Sequence, residues 1–145
     1  MKIQRIDHIG INVDDLSAAK AFFLDLGLEV LGEGEMEGAL LDRVTALQGA
    51  RTAIVWMGTP DGQTSLELVK YNASGDANGV QPSSANTLGI RHIAFAVDDI
   101  EAIVAKLTRG GAEVFSEIQN YENIYKLCYV RGPEGIIVEL AERIG

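Results

Sequence analysis

Several residue types are scarce in this chain of 145 residues, and each scarcity excludes a class of protein. The single cysteine, Cys128, cannot form an internal disulfide, which favours a reducing compartment such as the cytoplasm. Only 12 Lys and Arg residues accompany 21 Asp and Glu residues, and the basic ones form no cluster, so we expect neither nucleic acid nor an anionic membrane as a partner. No apolar run is long enough to span a bilayer, and the first residues lack the layout of a signal peptide. The sequence therefore predicts a cytoplasmic globular protein.

Histidine is also scarce, and the two histidines occupy equivalent places in an internal repeat. An offset of 84 residues aligns His8 with His92, and the stretch IDHIGINVDDL with RHIAFAVDDI. The same offset places GLEV at residues 27–30 on GAEV at residues 111–114. Self-similarity at a fixed offset indicates a duplicated supersecondary unit.

Each copy contains the same order of structural signals: a strand, a helix and three further strands. The first stretch alternates apolar and polar residues with a period of two, which is typical of a half-buried strand, and apolar residues at helical spacing follow it. Aspartates that can cap a helix N-terminus precede each helix, as Asp14 or Asp15 and as Asp98 or Asp99. Glycines end the helices, at Gly27 and at Gly110–Gly111. The pattern predicts an α+β fold of two tandem βαβββ modules.

The two modules span about residues 1–72 and 90–145. The stretch between them, at about residues 73–89, is rich in Asn, Ser and Gly and is typical of a connector. A chain of this length can form one compact domain, so we expect a single domain over residues 1–145. The stretch from Glu33 to Arg51 accounts for most of the extra length of the first copy, and we expect it to be a loop.

Strand alternation places one histidine and one glutamate of each copy on the same face of its sheet. The apolar positions of each strand must cover the helix, so the alternating positions point the other way. This assigns His8 and Glu67 to the far face in the first copy, and His92 and Glu139 in the second. Small residues beside them, such as Gly10, leave room for a ligand.

Two imidazoles and two carboxylates on such faces predict a site for a divalent metal ion. A lone histidine or glutamate on a strand is usually structural, and it is the repetition at equivalent positions that favours ligation. This donor set suits Zn, Ni, Co, Fe(II) or Mn, and the lack of a thiolate argues against copper(I) and iron–sulfur clusters. We therefore expect His8, Glu67, His92 and Glu139 to be metal ligands.

With these residues the chain resembles the vicinal oxygen chelate superfamily, which includes glyoxalases, methylmalonyl-CoA epimerases, extradiol dioxygenases, fosfomycin resistance transferases and bleomycin-binding proteins. The resemblance covers nearly the whole chain and rests on the paired modules, on the histidines of IDHIGINVDDL and RHIAFAVDDI, and on the glutamates of LELVKY and GPEGIIVELAE. It implies a cupped, mixed eight-stranded sheet with the helices outside, and it matches the same four residues to ligand positions. It also implies a homodimer, with the metal site formed within one chain or between two subunits.

The carboxylate at position 67 resembles the glyoxalase ligand set, because epimerases of the superfamily usually carry glutamine there. The resemblance therefore implies a lyase or isomerase that removes a proton next to a metal-chelated carbonyl of a small oxygenated substrate, such as a thiohemiacetal or an acyl thioester. Glu139 and Glu67 are both candidates for the general base. Two alternatives stay open: a non-enzymatic drug- or metabolite-binding protein of the bleomycin resistance type, and an Fe(II)-dependent dioxygenase of the extradiol type. The lack of a third histidine counts against the dioxygenase.

The aromatic residues and Met57 are expected to be packing residues. We assign Trp56, Met57 and the Phe22–Phe23 pair to the core. We expect Tyr121, Tyr125 and Tyr129 to be packing residues of a β-hairpin.

Overall fold

The structure is a computed structural model that describes every residue from Met1 to Gly145. The chain divides into two compact units, Met1–Val80 and Gln81–Gly145, and each unit contains one copy of the repeat. The boundary lies inside the stretch that the sequence predicts to be a connector. The single domain over residues 1–145 stays a prediction.

The first unit is a four-stranded mixed sheet with two helices. Its elements are β1 (His8–Asn12), α1 (Leu16–Leu26), β2 (Glu29–Glu37), α2 (Ala39–Thr45), β3 (Arg51–Gly58) and β4 (Ser65–Ala73). The strand order is β1-β4-β3-β2, in which β1 runs parallel to β4 and the other pairs are antiparallel. The first strand of the module therefore lies beside the last one.

The second unit repeats this arrangement with one extra short strand. Its elements are β5 (Ile93–Val97), α3 (Ile100–Arg109), β6 (Glu113–Val114), β7 (Gln119–Tyr121), β8 (Tyr125–Arg131) and β9 (Ile137–Arg143). The strand order is β5-β9-β8-β6, with β7 paired to β8, and β5 runs parallel to β9. A short 3-10 turn, Pro133–Gly135, joins β8 to β9.

The α+β fold with two mixed sheets is confirmed, and two local features differ from the expectation. The expected loop from Glu33 to Arg51 instead contains the end of β2 and the helix α2. The strand β7 is an addition to the four strands expected in the second module. None of the helices is both long and apolar enough to cross a membrane.

The helices begin at the aspartates that the sequence indicates, and the structure shows which aspartate of each neighbouring pair is the N-cap. The carboxylate of Asp15 accepts a hydrogen bond from the Ala18 amide at 3.0 Å, and Asp99 does the same for Ala102 at 3.0 Å. The second aspartate of each pair is therefore the N-cap, because its side chain satisfies an amide of the first turn. At the other end of α1, Gly27 has φ +120°, a conformation that favours glycine.

Each unit has its own apolar core between the helix and one face of the sheet. The fully buried side chains include Phe23, Met57 and Leu68 in the first unit. In the second unit they are Ile100, Leu107, Val130, Val138 and Leu140. Trp56, which the sequence predicts to be a core residue, is only half-buried. The reason is strand alternation, since Met57 takes the helix-facing position next to it.

Candidate metal centre

The first unit brings His8 and Glu67 into contact across two parallel strands. His8 begins β1, and Glu67 lies in β4 opposite Gly10, two residues farther along β1. The His8 Nε2 atom is 3.3 Å from Glu67 Oε2. The side chains are 46% and 25% exposed, so both can reach a ligand without rearrangement of the core.

The second unit repeats this contact with His92 and Glu139. His92 directly precedes β5, and Glu139 lies in β9 opposite Ala94, again two residues beyond the histidine. The His92 Nε2 atom is 3.4 Å from Glu139 Oε1, and the side chains are 36% and 22% exposed. The same strand register in both units therefore produces the same pair of donor atoms.

The distance within each pair suits two ligands of one metal ion. Nitrogen and oxygen donors at about 2.1 Å from an ion lie roughly 3.0–3.4 Å apart at right-angle to tetrahedral geometry. The structure holds no group of three or more His, Cys, Asp or Glu side chains that could hold a metal ion. Within each unit, one predicted histidine ligand and one predicted glutamate ligand lie in contact.

The Nδ1 atom of His8 contacts the carboxylate of Asp7, which is not among the predicted site residues. Asp7 Oδ2 lies 2.8 Å from His8 Nδ1, and Asp7 Oδ1 accepts a hydrogen bond of 2.9 Å from Arg5. The hydrogen bond between His8 and Asp7 raises the pKa of His8, and the charge of Glu67 acts in the same direction. Hydrogen bonds from His8 and Arg5 lower the pKa of Asp7. Such a carboxylate orients an imidazole so that Nε2 faces the ligand site.

The corresponding neighbour of His92 is a phenol. The Tyr129 hydroxyl lies 3.5 Å from His92 Nδ1, at the limit of a hydrogen bond, and the two ring centroids are 5.0 Å apart. Tyr129 lies directly opposite Glu139 in the antiparallel pair of β8 and β9. Burial raises the pKa of Tyr129, and the negative charge of Glu139 raises it further. Tyr129 therefore borders the second pair, in addition to the packing role expected from the sequence.

Two signals in the sequence point to these neighbours. Asp7 directly precedes His8, so its side chain is within reach of the same imidazole. In YKLCYV, the buried Cys128 and Val130 flank Tyr129, which places the phenol on the opposite face. Alternation within β8 could have placed Tyr129 on the glutamate face, but only the pairing of β8 with β9 sets it against Glu139.

Comparison with known proteins shows one family match over nearly the whole chain. Residues 5–140 match the family described as the Glyoxalase/Bleomycin resistance protein/Dioxygenase superfamily. This range includes both His–Glu pairs and every strand except the last residues of β9.

Individual relatives match nearly the full length of the chain or all of it. The uncharacterized protein YwbC of Bacillus subtilis (strain 168) is 33% identical over 143 residues, which are 97% of this chain and 98% of that protein. The crystal structure of a glyoxalase family protein from Bacillus cereus is 39% identical, with a TM-score of 0.95 over 100% of this chain and 97% of that chain. The lactoylglutathione lyase of Agrobacterium tumefaciens is 24% identical, with a TM-score of 0.59 over 98% of this chain and 96% of that chain, and shares the fold.

Proposed function

Because the chain belongs to the glyoxalase/bleomycin resistance protein/dioxygenase superfamily, we propose that it is a metal-dependent lyase or isomerase of the glyoxalase or epimerase type. Its substrate is a small oxygenated molecule whose carbonyl group lies next to a carbon with an acidic proton. The observation that carries the proposal is the duplicated His–Glu contact, at 3.3 Å in one unit and 3.4 Å in the other.

The proposed metal ligands are His8, Glu67, His92 and Glu139. Two neutral imidazoles and two carboxylates suit a divalent ion such as Zn, Ni, Co, Fe or Mn. When bound, the ion supplies Lewis acidity toward two adjacent oxygens of the substrate. Each His–Glu pair supplies two of these four ligands, and superfamily membership supports a homodimer as the assembly.

The chemistry of the chain itself is proton transfer by a glutamate. A carboxylate oxygen of Glu139 or Glu67 accepts the proton from the substrate carbon beside the carbonyl and returns it at the end of the reaction. The two glutamate side chains are half-buried, at 25% and 22% exposure, which reduces their contact with water. Room for the substrate exists beside Glu67, since a Cβ added at the opposing Gly10 would meet nothing within 4 Å.

Metal content tests the ligand assignment. We expect elemental analysis of the purified protein to find a divalent ion, and His8→Ala and His92→Ala to lose it because each removes one of the four donors. The control is Glu117→Gln, which changes an exposed carboxylate in a loop of the second unit. A full complement of bound ion in His8→Ala would show that the assignment is wrong.

Exchange of the substrate proton with solvent tests the reaction class. We expect the metal-loaded protein to incorporate deuterium from D2O into a 2-oxo or thioester substrate. Of the variants Glu139→Gln and Glu67→Gln, the one that replaces the base should lower the rate by about 100-fold or more while metal is retained, because general-base catalysis contributes that much. Ligand binding without any exchange would instead indicate a binding protein, and oxygen consumption with iron and a catechol would indicate a dioxygenase.

The proposal includes a cytoplasmic homodimer. The unpaired, buried Cys128 is in keeping with a reducing compartment. Light scattering coupled to gel filtration should give the mass of two chains, and the mass of one chain would remove the dimer from the proposal.

A further inference from the structure

A row of residues crosses the first sheet at the position of Glu67. The strand register pairs Gly10 of β1 with Glu67 of β4, Glu67 with Trp56 of β3, and Trp56 with Gly32 of β2. Residues directly opposite each other on neighbouring strands point to the same face of a sheet. Trp56 therefore lies on the face that carries the His8–Glu67 pair, beside the carboxylate.

Glycines on β2 allow the Trp56 indole to pack flat against the sheet. A Cβ added at Gly32 would be 3.6 Å from the Trp56 ring, and one at Gly34 would be 3.5 Å from it. The six-membered ring thus packs over two positions that lack side chains. A tryptophan held against backbone in this way keeps a fixed orientation, and Trp56 is only half-buried, so part of the ring stays accessible.

The chemistry of this row differs from one end to the other. On one side of Trp56 are the Glu67 carboxylate and the His8 imidazole. Through a metal ion, these two groups can bind the oxygen atoms of a substrate. The indole itself offers an apolar, polarizable surface that prefers to contact other planar rings at offset or edge-to-face geometry. A substrate held by its oxygens at Glu67 would extend its remaining group toward Trp56 or toward the open space at Gly10.

We propose that Trp56 is a binding platform for a planar, unsaturated group of the substrate, in the simplest case an aryl ring, placed next to the two oxygens held at His8 and Glu67. This inference rests on the proposed function, and it narrows the substrate class to oxygenated molecules with such a group. The indole contributes dispersion and ring contact, and the His–Glu pair contributes the binding of the oxygens.

A matched pair of ligands tests the platform. Mandelate and lactate have the same two adjacent oxygens and differ in a phenyl group against a methyl group. We expect calorimetry on the Ni²⁺-loaded protein to show about tenfold tighter binding of mandelate than of lactate. Trp56→Phe should keep most of this preference because a ring remains, and Trp56→Leu should reduce it to about one. Tyr121→Leu, which removes an exposed ring from β7, is the control and should keep it.

An unchanged mandelate preference in Trp56→Leu would overturn the platform, as would equal binding of the two ligands by the unaltered protein.

Trp56 is the single tryptophan of the chain, so its fluorescence reports on this row alone. Quenching by Ni²⁺ that is lost in His8→Ala would support the metal pair independently of the aryl preference. Absence of Ni²⁺ quenching and of calorimetric binding of both ligands would reject the proposed function itself. Metal binding with equal affinities for both ligands would reject only the platform.

Discussion

At the scale of single residues, the two histidines differ in what contacts their Nδ1 atoms. His8 has the Asp7 carboxylate at 2.8 Å, and His92 has the Tyr129 hydroxyl at 3.5 Å. A carboxylate accepts a strong, charge-assisted hydrogen bond, whereas a contact at 3.5 Å contributes little. The imidazole of His8 is therefore held in its orientation more firmly than the imidazole of His92.

This difference predicts unequal effects on metal affinity. Asp7→Asn should weaken binding of Zn²⁺ or Ni²⁺ by about tenfold or more, because a partner that orients a ligating histidine typically contributes 10–100-fold. Tyr129→Phe should have a smaller effect. Competition with a chelator measures both. Asp7→Glu, which keeps a carboxylate, should recover part of the affinity, and equal effects of Asp7→Asn and Tyr129→Phe would contradict the ranking.

A second prediction concerns the thiol of Cys128. The residue is 5% exposed, and burial raises the pKa of its thiol, with a further rise from the charge of Glu139. Since the thiolate is the reactive form, iodoacetamide at roughly pH 8 should modify the folded protein much more slowly than the urea-unfolded protein. Mass spectrometry over time measures the two rates. Equal rates would show that the thiol is not protected by the fold, and Cys128→Ala provides the blank.

At the scale of elements, the helix caps permit a comparison between neighbouring aspartates. Asp99→Ala removes the side-chain acceptor of the Ala102 amide at the start of α3 and should lower the free energy of unfolding by about 1 kcal/mol. Asp98→Ala, which changes an exposed carboxylate one residue earlier, should have a clearly smaller effect. Urea unfolding measures both. Equal losses would mean that the cap hydrogen bond is not the source of the stability.

The end of β2, which lies where a loop is expected, depends on contacts outside its own segment. The residues of β2 beyond Leu31 read GEGEME, in which glycine and glutamate have low β-propensity. They are a strand because they pair with β3 from Gly32 to Glu37, and Gly32 and Gly34 leave space for the Trp56 ring. A partner strand and a packed aromatic ring outweigh local propensity here, and neither can be read from the segment alone.

At the scale of the whole molecule, a bound ion should stabilise the fold. A ligand that binds only the native state at 100 times its dissociation constant adds about 2.7 kcal/mol to the free energy of unfolding. For a chain of this size we expect a rise in Tm of about 5–10 °C on addition of Zn²⁺ or Ni²⁺. Scanning calorimetry measures the shift.

The double variant His8→Ala, His92→Ala is the control for this stabilisation and should remove most of it. Mg²⁺ should act weakly on the unaltered protein, because it prefers all-oxygen sites. An equal rise in Tm for the double variant would place the stabilising ion elsewhere.

Much of the fold follows from the sequence because its signals are local. Period-two alternation marks β1 and β5, aspartates and glycines mark the ends of α1 and α3, and the offset between His8 and His92 reveals the duplication. Alternation also places His8, Glu67, His92 and Glu139 on the faces opposite the helices. Apart from the duplication, which is seen by comparing two segments, these inferences require only the order of side chains along one segment.

The tertiary structure decided which of these side chains meet. The parallel register of β1 with β4 sets Glu67 opposite Gly10 and within 3.3 Å of His8, although Glu67 and His8 are far apart in the chain. The pairing of β3 with β4 places Trp56 beside the same carboxylate, where the sequence alone suggested a core residue. Strand register depends on backbone hydrogen bonds between distant segments, and that is why the sequence indicated the faces while only the assembled sheet defined the neighbours on them.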